Sequence, residues 1–377
     1  MKRLLSVLLI ISLILGCVSA LAEESVVVQE KYQPKLIEEN DYAGFVLSDG
    51  TIGISGYTGS EANLIIPDEL NGKAVTKIMG GAFSNNQKLE SVVIPAGITK
   101  IDGNPFWSCF NLSSIKVDDP ESNFEFVDGA FFCKEPKRLI TYLTTNEAET
   151  YTIPDGTCEL EYYVFYGNQF LKTISIPDSV EAMDMNPFMG CVSLTTIKIS
   201  PDNPKYAIMD GVMFRKEDKA LIAYPSGLGS VSYHIPQGIK RIGAGAFSGA
   251  VNLKEIVLPD TVEDLEHDAF AACTGLVSVN IPESVKTIGD GAFSWCINLE
   301  SITIPDSVTK IGMTAFAGSA ALKSIVIPDS VTEIGIYAFA DCDQLTITVS
   351  RDSYAAQYCR ENNLNYTYPD ANDWLNQ

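Results

Sequence analysis

The chain has 377 residues, with 48 acidic against 26 basic side chains, a net charge of −22 and a mean hydropathy of +0.10. So acidic a surface argues against nucleic acid and anionic lipid as partners. The length exceeds what one hydrophobic core organises, which leaves several domains or an array.

Lys2 and Arg3 precede an uncharged apolar run from Leu4 to Ala22, closed by Ala20-Leu21-Ala22 and followed by Glu23-Glu24. That order reads as a secretory signal peptide over residues 1–22. A second reading is a lipobox, Ile14-Leu15-Gly16-Cys17, which would leave a lipid on Cys17 and tether the protein to a membrane. Residues 23–40 show no periodicity and read as a spacer. Tyr42 to Leu47 and Thr51 to Gly56 flank Ser48-Asp49-Gly50, a turn signal that predicts a β-hairpin cap over residues 41–60.

From residue 61 to 350 the chain repeats. Leu253, Leu276, Leu299, Leu322 and Leu345 recur at a step of 23, and Phe247, Phe270, Phe293, Phe316 and Phe339 keep the same step. Earlier, steps of 23 alternate with steps of 59 through Leu89, Leu112, Leu171, Leu194 and Leu253, so a longer super-repeat, the sum of the two, runs twice. The extra segments, about residues 118–150 and 200–232, match each other, since FVDGAFFCKEPKRLITY begins 82 positions before IMDGVMFRKEDKALIAY. Each reads as Asp-Gly, an apolar strand, a charged turn and a second strand, which is a β-hairpin pattern. The second strand, Leu139 to Tyr142 or Leu221 to Tyr224, is expected to join the array as one more turn.

A 23-residue unit with one short strand cannot bury its own apolar side, so neighbours stack and share a core. Alternation sends Ile325 and Ile327 inward, Pro328 ends the strand, Gly335 permits a corner and Ala338-Phe339 fill the next layer. The expectation is a leucine-rich-repeat solenoid, mostly β with short helical turns. Its stacked parallel strands wind right-handed, in about eleven turns that include the two hairpin inserts and span on the order of 50 Å. Residues 351–377 read as a helical cap and tail, with Ser353 at the N-cap of a short helix and a tail from Pro369.

The repeated Leu, Ile, Pro and Phe positions resemble the BspA-like (Treponema pallidum type) leucine-rich repeats of bacterial surface proteins, over about residues 60–350. That resemblance implies a secreted or surface-displayed, non-enzymatic protein used in adhesion to host or bacterial surface components. It carries over no universal binding residue. The partner it implies is a protein or glycoprotein surface. No small-molecule substrate and no cofactor are expected, and the protein is read as a monomer. The rival reading is a structural spacer without a specific ligand, and a third is an enzyme with a site on a hairpin insert.

Residue chemistry supplies few catalytic candidates. His234 and His267 are the only histidines, and neither has a nucleophile at a recurring spacing. Cys109, Cys191, Cys273, Cys296 and Cys342 all follow a template Phe by three, so they share one structural position, read as a small buried side chain. Cys133, Cys158 and Cys359 lie off the template, and no pairing can be deduced for them.

The residue after the template Pro is acidic in most turns, and Asp260, Glu283, Asp306 and Asp329 should line one edge. Two readings stand: a ladder for a divalent cation such as calcium, or a Pro-Asp-Ser turn whose Asp accepts a local backbone N–H. The outward strand positions, such as Ser301/Thr303 and Ser324/Val326, make a bland face without aromatic or arginine anchors.

One turn departs from the template. LEYYVFYGNQF puts Tyr162, Tyr163, Tyr166 and Phe170 where most other turns are polar or small. They are the candidate partner-binding residues; the competing reading packs them against the preceding hairpin around Phe131.

Overall fold

A computed structural model describes residues 35–369 apart from Asp184. The signal peptide expected over 1–22, Cys17, residues 23–34 of the expected spacer and the tail from 370 lie outside the described residues. Contacts divide the chain into residues 1–35 and 36–377, and the second unit contains the whole array.

Each unit contributes to two parallel ladders and a loop between them. On one face Glu255, Ser278, Ser301 and Ser324 pair in succession, one repeat apart at each step. On the other, Arg241, Asp264, Thr287, Lys310 and Glu333 do the same. Between the faces Leu253, Leu276, Leu299 and Leu322 form a fully buried column. Beside it Phe247, Phe270, Phe293, Phe316 and Phe339 stack with ring centroids 5.1 to 5.5 Å apart. No turn could bury its own Phe. Sharing the column recovers about 2 kcal/mol per ring.

The expected short helical turns are hydrogen-bonded turns instead, and the physical reason is backbone sign. In seven of the nine loops the residues two before and two after the template Phe have positive φ, as at Asp268 and Ala272 (53° and 54°), Thr314 and Gly318 (51° and 74°), and Tyr337 and Asp341 (58° and 55°). The exceptions are the loops of Phe106 and Phe188, where Asn104 and Asn186 stand two before the ring. A left-handed residue every fourth position stops a helix. It also turns alternate N–H groups toward the next loop, as where Phe293 donates to Ala315 O and Trp295 to Ala317 O, both at 2.7 Å. The loops thus form a third ladder. Among the described residues the one α-helix is Tyr354–Glu361, with Ser353 Oγ accepting from the Ala356 N–H at 3.1 Å.

Each insert is larger than a hairpin. Phe124–Val127, Ala130–Cys133 and Arg138–Tyr142 make a three-stranded antiparallel meander, as do Tyr206–Met209, Val212–Arg215 and Ala220–Ala223. The first turn of each is Asp-Gly with positive φ at both residues (Asp128 52°, Gly129 81°; Asp210 52°, Gly211 79°), the geometry that Asp-Gly favours. The last strand of each joins the array in parallel, Arg138↔Glu159 and Ala220↔Arg241. Both faces are interrupted there, one into sheets of three, three and seven strands and the other into six, five and eight.

The array runs to about fourteen turns rather than about eleven, because chain at both ends stacks on it. Ile52–Tyr57, in the expected cap, pairs in parallel with Lys73–Ile78, and Tyr366–Thr367, beyond the helix, pairs with Thr346–Thr348. The spacer expected over 23–40 gives way at Leu36, where Leu36–Glu39 pairs with Tyr42–Val46. At the last step the register shortens by one, since Ser324 pairs with Thr346. Leu345 keeps its column while the strand after it slips back.

Candidate functional site

The site grows out of how the array closes over an insert. Each insert turn puts a Tyr in the Phe column, Tyr142 against Phe165 at 5.2 Å and Tyr224 against Phe247 at 5.2 Å, but carries no template loop. The loops on either side therefore meet each other. Asn104 Nδ2 donates to Tyr163 O at 3.1 Å, and Asn186 Nδ2 to Gly245 O at 2.8 Å, each across the same sequence interval. Their Oδ1 atoms accept from the N–H of Phe106 and Phe188, both at 2.9 Å, and both side chains are 1% exposed. These asparagines escaped the sequence reading. The signal was present, because Asn-Pro-Phe recurs at 104–106 and 186–188 and in no other loop.

At the first junction the asparagine bond is overlaid by rings. Tyr163 lies against Trp107 at 5.2 Å, while Tyr166 meets Trp107 edge-on at 6.3 Å and stacks with Phe110 at 6.4 Å. Tyr163 also contacts Tyr162 at 5.7 Å and Tyr166 at 5.3 Å. Two glycines make room: a Cβ on Gly103 would stand 2.4 Å from the Tyr162 ring, and one on Gly167 2.7 Å from Phe110. A cavity of about 10 Å³, room for one water, lies among Asn104, Trp107, Thr141, Tyr163 and Tyr166. Three of the four expected aromatics come together here. Phe170 makes no ring contact with them and is 39% exposed.

The packing partner expected from sequence is replaced. Phe131 sits in the core against Phe124, so the tyrosines pack on Trp107 and Phe110 from the loop before the insert. Those two were missed because they flank an ordinary template Phe and Cys. The usable clue was size, since the position after the template Phe is Ser or Ala in most loops but Trp107, Tyr166 or Met189 beside an insert.

An ion pair also marks this junction. Arg138 pairs with Glu161, which is 8% exposed, and Arg138 Nη2 donates to Ile101 O at 3.2 Å across the break in the sheet.

The template cysteines have a more specific role than size. Each Sγ donates to the carbonyl of an earlier template Phe, from Cys109 to Phe83 O at 3.0 Å through Cys296 to Phe270 O at 3.2 Å and Cys342 to Phe316 O at 3.1 Å. Ser319 makes the same bond to Phe293 O at 2.9 Å, which explains why Ser can stand there. Burial pushes the thiols of Cys109 and Cys342 up to about 11 and those of Cys191 and Cys296 to about 12, so they stay protonated. All eight described cysteines, Cys133, Cys158 and Cys359 included, are free.

Asp260, Glu283, Asp306 and Asp329 are exposed at successive corners. At the first three the corner bond comes from the next residue, as where Thr261 Oγ1 donates to Ile239 O at 2.7 Å and Ser307 Oγ to Val285 O at 2.7 Å. Ser330 Oγ, after Asp329, is buried without a partner among the described residues. Among the described residues no three His, Cys, Asp or Glu side chains converge as a metal site would require. His234 and His267 are exposed and lie on different turns. The outward strand face has a depression of about 340 Å³ over Glu255, Val257, Ser278, Asn280 and Thr303. No helix among the described residues is long and apolar enough to cross a membrane.

A leucine rich cell surface protein from Faecalibacterium prausnitzii is 27% identical over 86% of this chain and 97% of its own, with a TM-score of 0.50. The pneumococcal vaccine antigen PcpA is 20% identical over 89% and 98%, with a TM-score of 0.51. A leucine-rich repeat protein from Eubacterium ventriosum is 22% identical over 81% and 88%, with a TM-score of 0.50. No curated protein matches the chain. A family model for the BspA type leucine rich repeat region matches six copies, over residues 58–146, 141–218 and 223–346. The chain belongs to the BspA type leucine rich repeat family.

Proposed function

We propose that the protein is displayed outside the cell and works by non-covalent recognition of a protein or glycoprotein, bacterial or host, with the aromatic junction as a principal contact. Family membership supports a repeat protein built for protein interaction, and the similar protein from Faecalibacterium prausnitzii is described as a cell surface protein. One observation carries the choice of site. Rings gather at the first junction, whereas the second closes on Met189, Ala244, Gly245 and Ser248, so closure does not demand them. Half-exposed tyrosine and tryptophan supply contact area at low entropic cost, as binding surfaces require.

The test is capture from extracellular-matrix and bacterial surface extracts, with a variant carrying Ser at 162, 163, 166 and 170 as control. Capture lost at an unchanged melting temperature supports the reading. Equal capture by both proteins moves the site elsewhere, and a variant that fails to fold leaves the rings as packing, which favours the spacer reading.

A further inference from the structure

We propose that the loop edge of the last turns, centred on Trp295 and Tyr337, docks a basic peptide segment that also bears apolar side chains. Trp295 is 59% exposed, Tyr337 60%, Ile336 65% and Ile297 42%, a concentration of large apolar surface on nearby loops of a strongly acidic protein. Ile336 and Tyr337 occupy the template positions that Tyr162 and Tyr163 hold at the first junction. There Trp107 covers Tyr163; here Tyr337 stands open to solvent.

The edge is already rigid. Trp295 N–H donates to Ala317 O at 2.7 Å and Thr314 N–H to Ile336 O at 3.0 Å, which fixes these loops in the ladder. The Trp295 indole lies on Gly318, where a Cβ would stand 2.9 Å from the ring, so one face is backed by main chain and the other meets solvent. Such a surface binds without first having to be ordered.

Charge selects the occupant. Five consecutive loops, residues 243–252, 266–275, 289–298, 312–321 and 335–344, contain no Lys or Arg. Their acidic side chains are Glu266, Asp268, Asp290, Asp341 and Asp343, and the last three are exposed. Cations on the adjoining short strands are occupied, Arg241 by Glu266 at 2.7 Å and Lys310 by Glu333 at 2.8 Å. Exposed indole and phenol faces beside exposed carboxylates suit Lys or Arg through both cation–π and charge attraction. A second copy of the chain would bring the same acidic edge against itself and is repelled.

The probe is a short labelled peptide of Lys, Leu and Gly, with a counterpart bearing Glu for Lys, titrated into the full chain by fluorescence anisotropy. The Lys peptide is expected to bind, the Glu peptide not, and raising salt from about 50 to about 500 mM should weaken binding several-fold. Trp295→Ala with Tyr337→Ala, which changes no charge, should weaken it about tenfold. Asp341→Asn with Asp343→Asn should weaken it about threefold, and Asp260→Asn with Asp306→Asn should leave it unchanged.

Equal binding of the two peptides, or binding indifferent to salt, would point to an apolar or glycan ligand and overturns the proposal. An unchanged Kd in the Trp295/Tyr337 variant reduces the effect to general attraction to an acidic chain. Should that variant melt early, the aspartate pairs decide, and equal weakening by both pairs is the contrary result.

Discussion

The two inserts are built on one plan, yet the loops that flank them are joined differently. Both junctions share the buried asparagine stitch, Asn104 to Tyr163 O and Asn186 to Gly245 O. At the second, Met189 lies against Gly245, where a Cβ would be 2.4 Å from the sulfur, and Asn186 N–H donates to Ala244 O at 3.0 Å. At the first, Trp107, Tyr162, Tyr163 and Tyr166 cover the stitch, and Arg138 with Glu161 spans the sheet break where the second has Ala220 and Gly243. The stitch is therefore the common means of closure. The rings and the ion pair are additions, and an addition is where a function can be placed without disturbing the repeat.

That comparison can be broken at several strengths. Arg138→Ala should have the largest effect, about 3–5 kcal/mol in urea unfolding, because the buried Glu161 carboxylate loses its cation. Ala220→Arg, the reverse change at the second junction, should yield no matching gain. Asn104→Ala and Asn186→Ala should each cost about 1–3 kcal/mol, since each strands a buried Phe N–H and removes one of the two donors to a loop carbonyl, which keeps the N–H of Tyr166 or Ser248. Clearly unequal losses would show that the junctions do not close by one device.

Trp107→Met should cost less, about 1–2 kcal/mol, as a volume-reducing change at a half-exposed position that its counterpart already tolerates. The smallest expected difference is in the regular array. Cys296→Ser should stay within about 1 kcal/mol of wild type, while Cys296→Ala should lose about 0.5–1 kcal/mol more by removing the second of two donors to Phe270 O, which keeps the Cys273 N–H. If Ala is the better substitute, the slot is set by size alone.

What the sequence showed and what it hid divide along physical lines. The Leu and Phe columns were legible because burial demands the same side chain at every turn, and indexing by the repeat exposes that directly. Positive φ at Thr314 or Tyr337 was not, because those residue types give no sign of it; the helical turns expected from the sequence failed for that reason. Leu36–Glu39 was hidden because Leu-Ile-Glu-Glu lacks alternation, and its pairing comes from the strand beside it. The first strand of each meander was signposted by Asp-Gly but read as one hairpin too few. Of the aromatic junction, the tyrosines were visible as departures from the template. Trp107 and Phe110 were not, since contact across an insert joins loops that are distant in sequence.

The central claim is that the rings of the first junction are not needed to close it. The direct measurement transplants the second junction onto the first: Trp107→Met, Phe110→Val, Tyr162→Ala, Tyr163→Gly, Tyr166→Ser and Phe170→Asn in one chain, followed by urea unfolding and partner capture together. The account predicts a fold retained within about 2 kcal/mol of wild type, near the cost of one partly buried ring, with capture abolished. A loss beyond about 5 kcal/mol, in the range of an emptied core, or capture undiminished in a folded transplant, would contradict it.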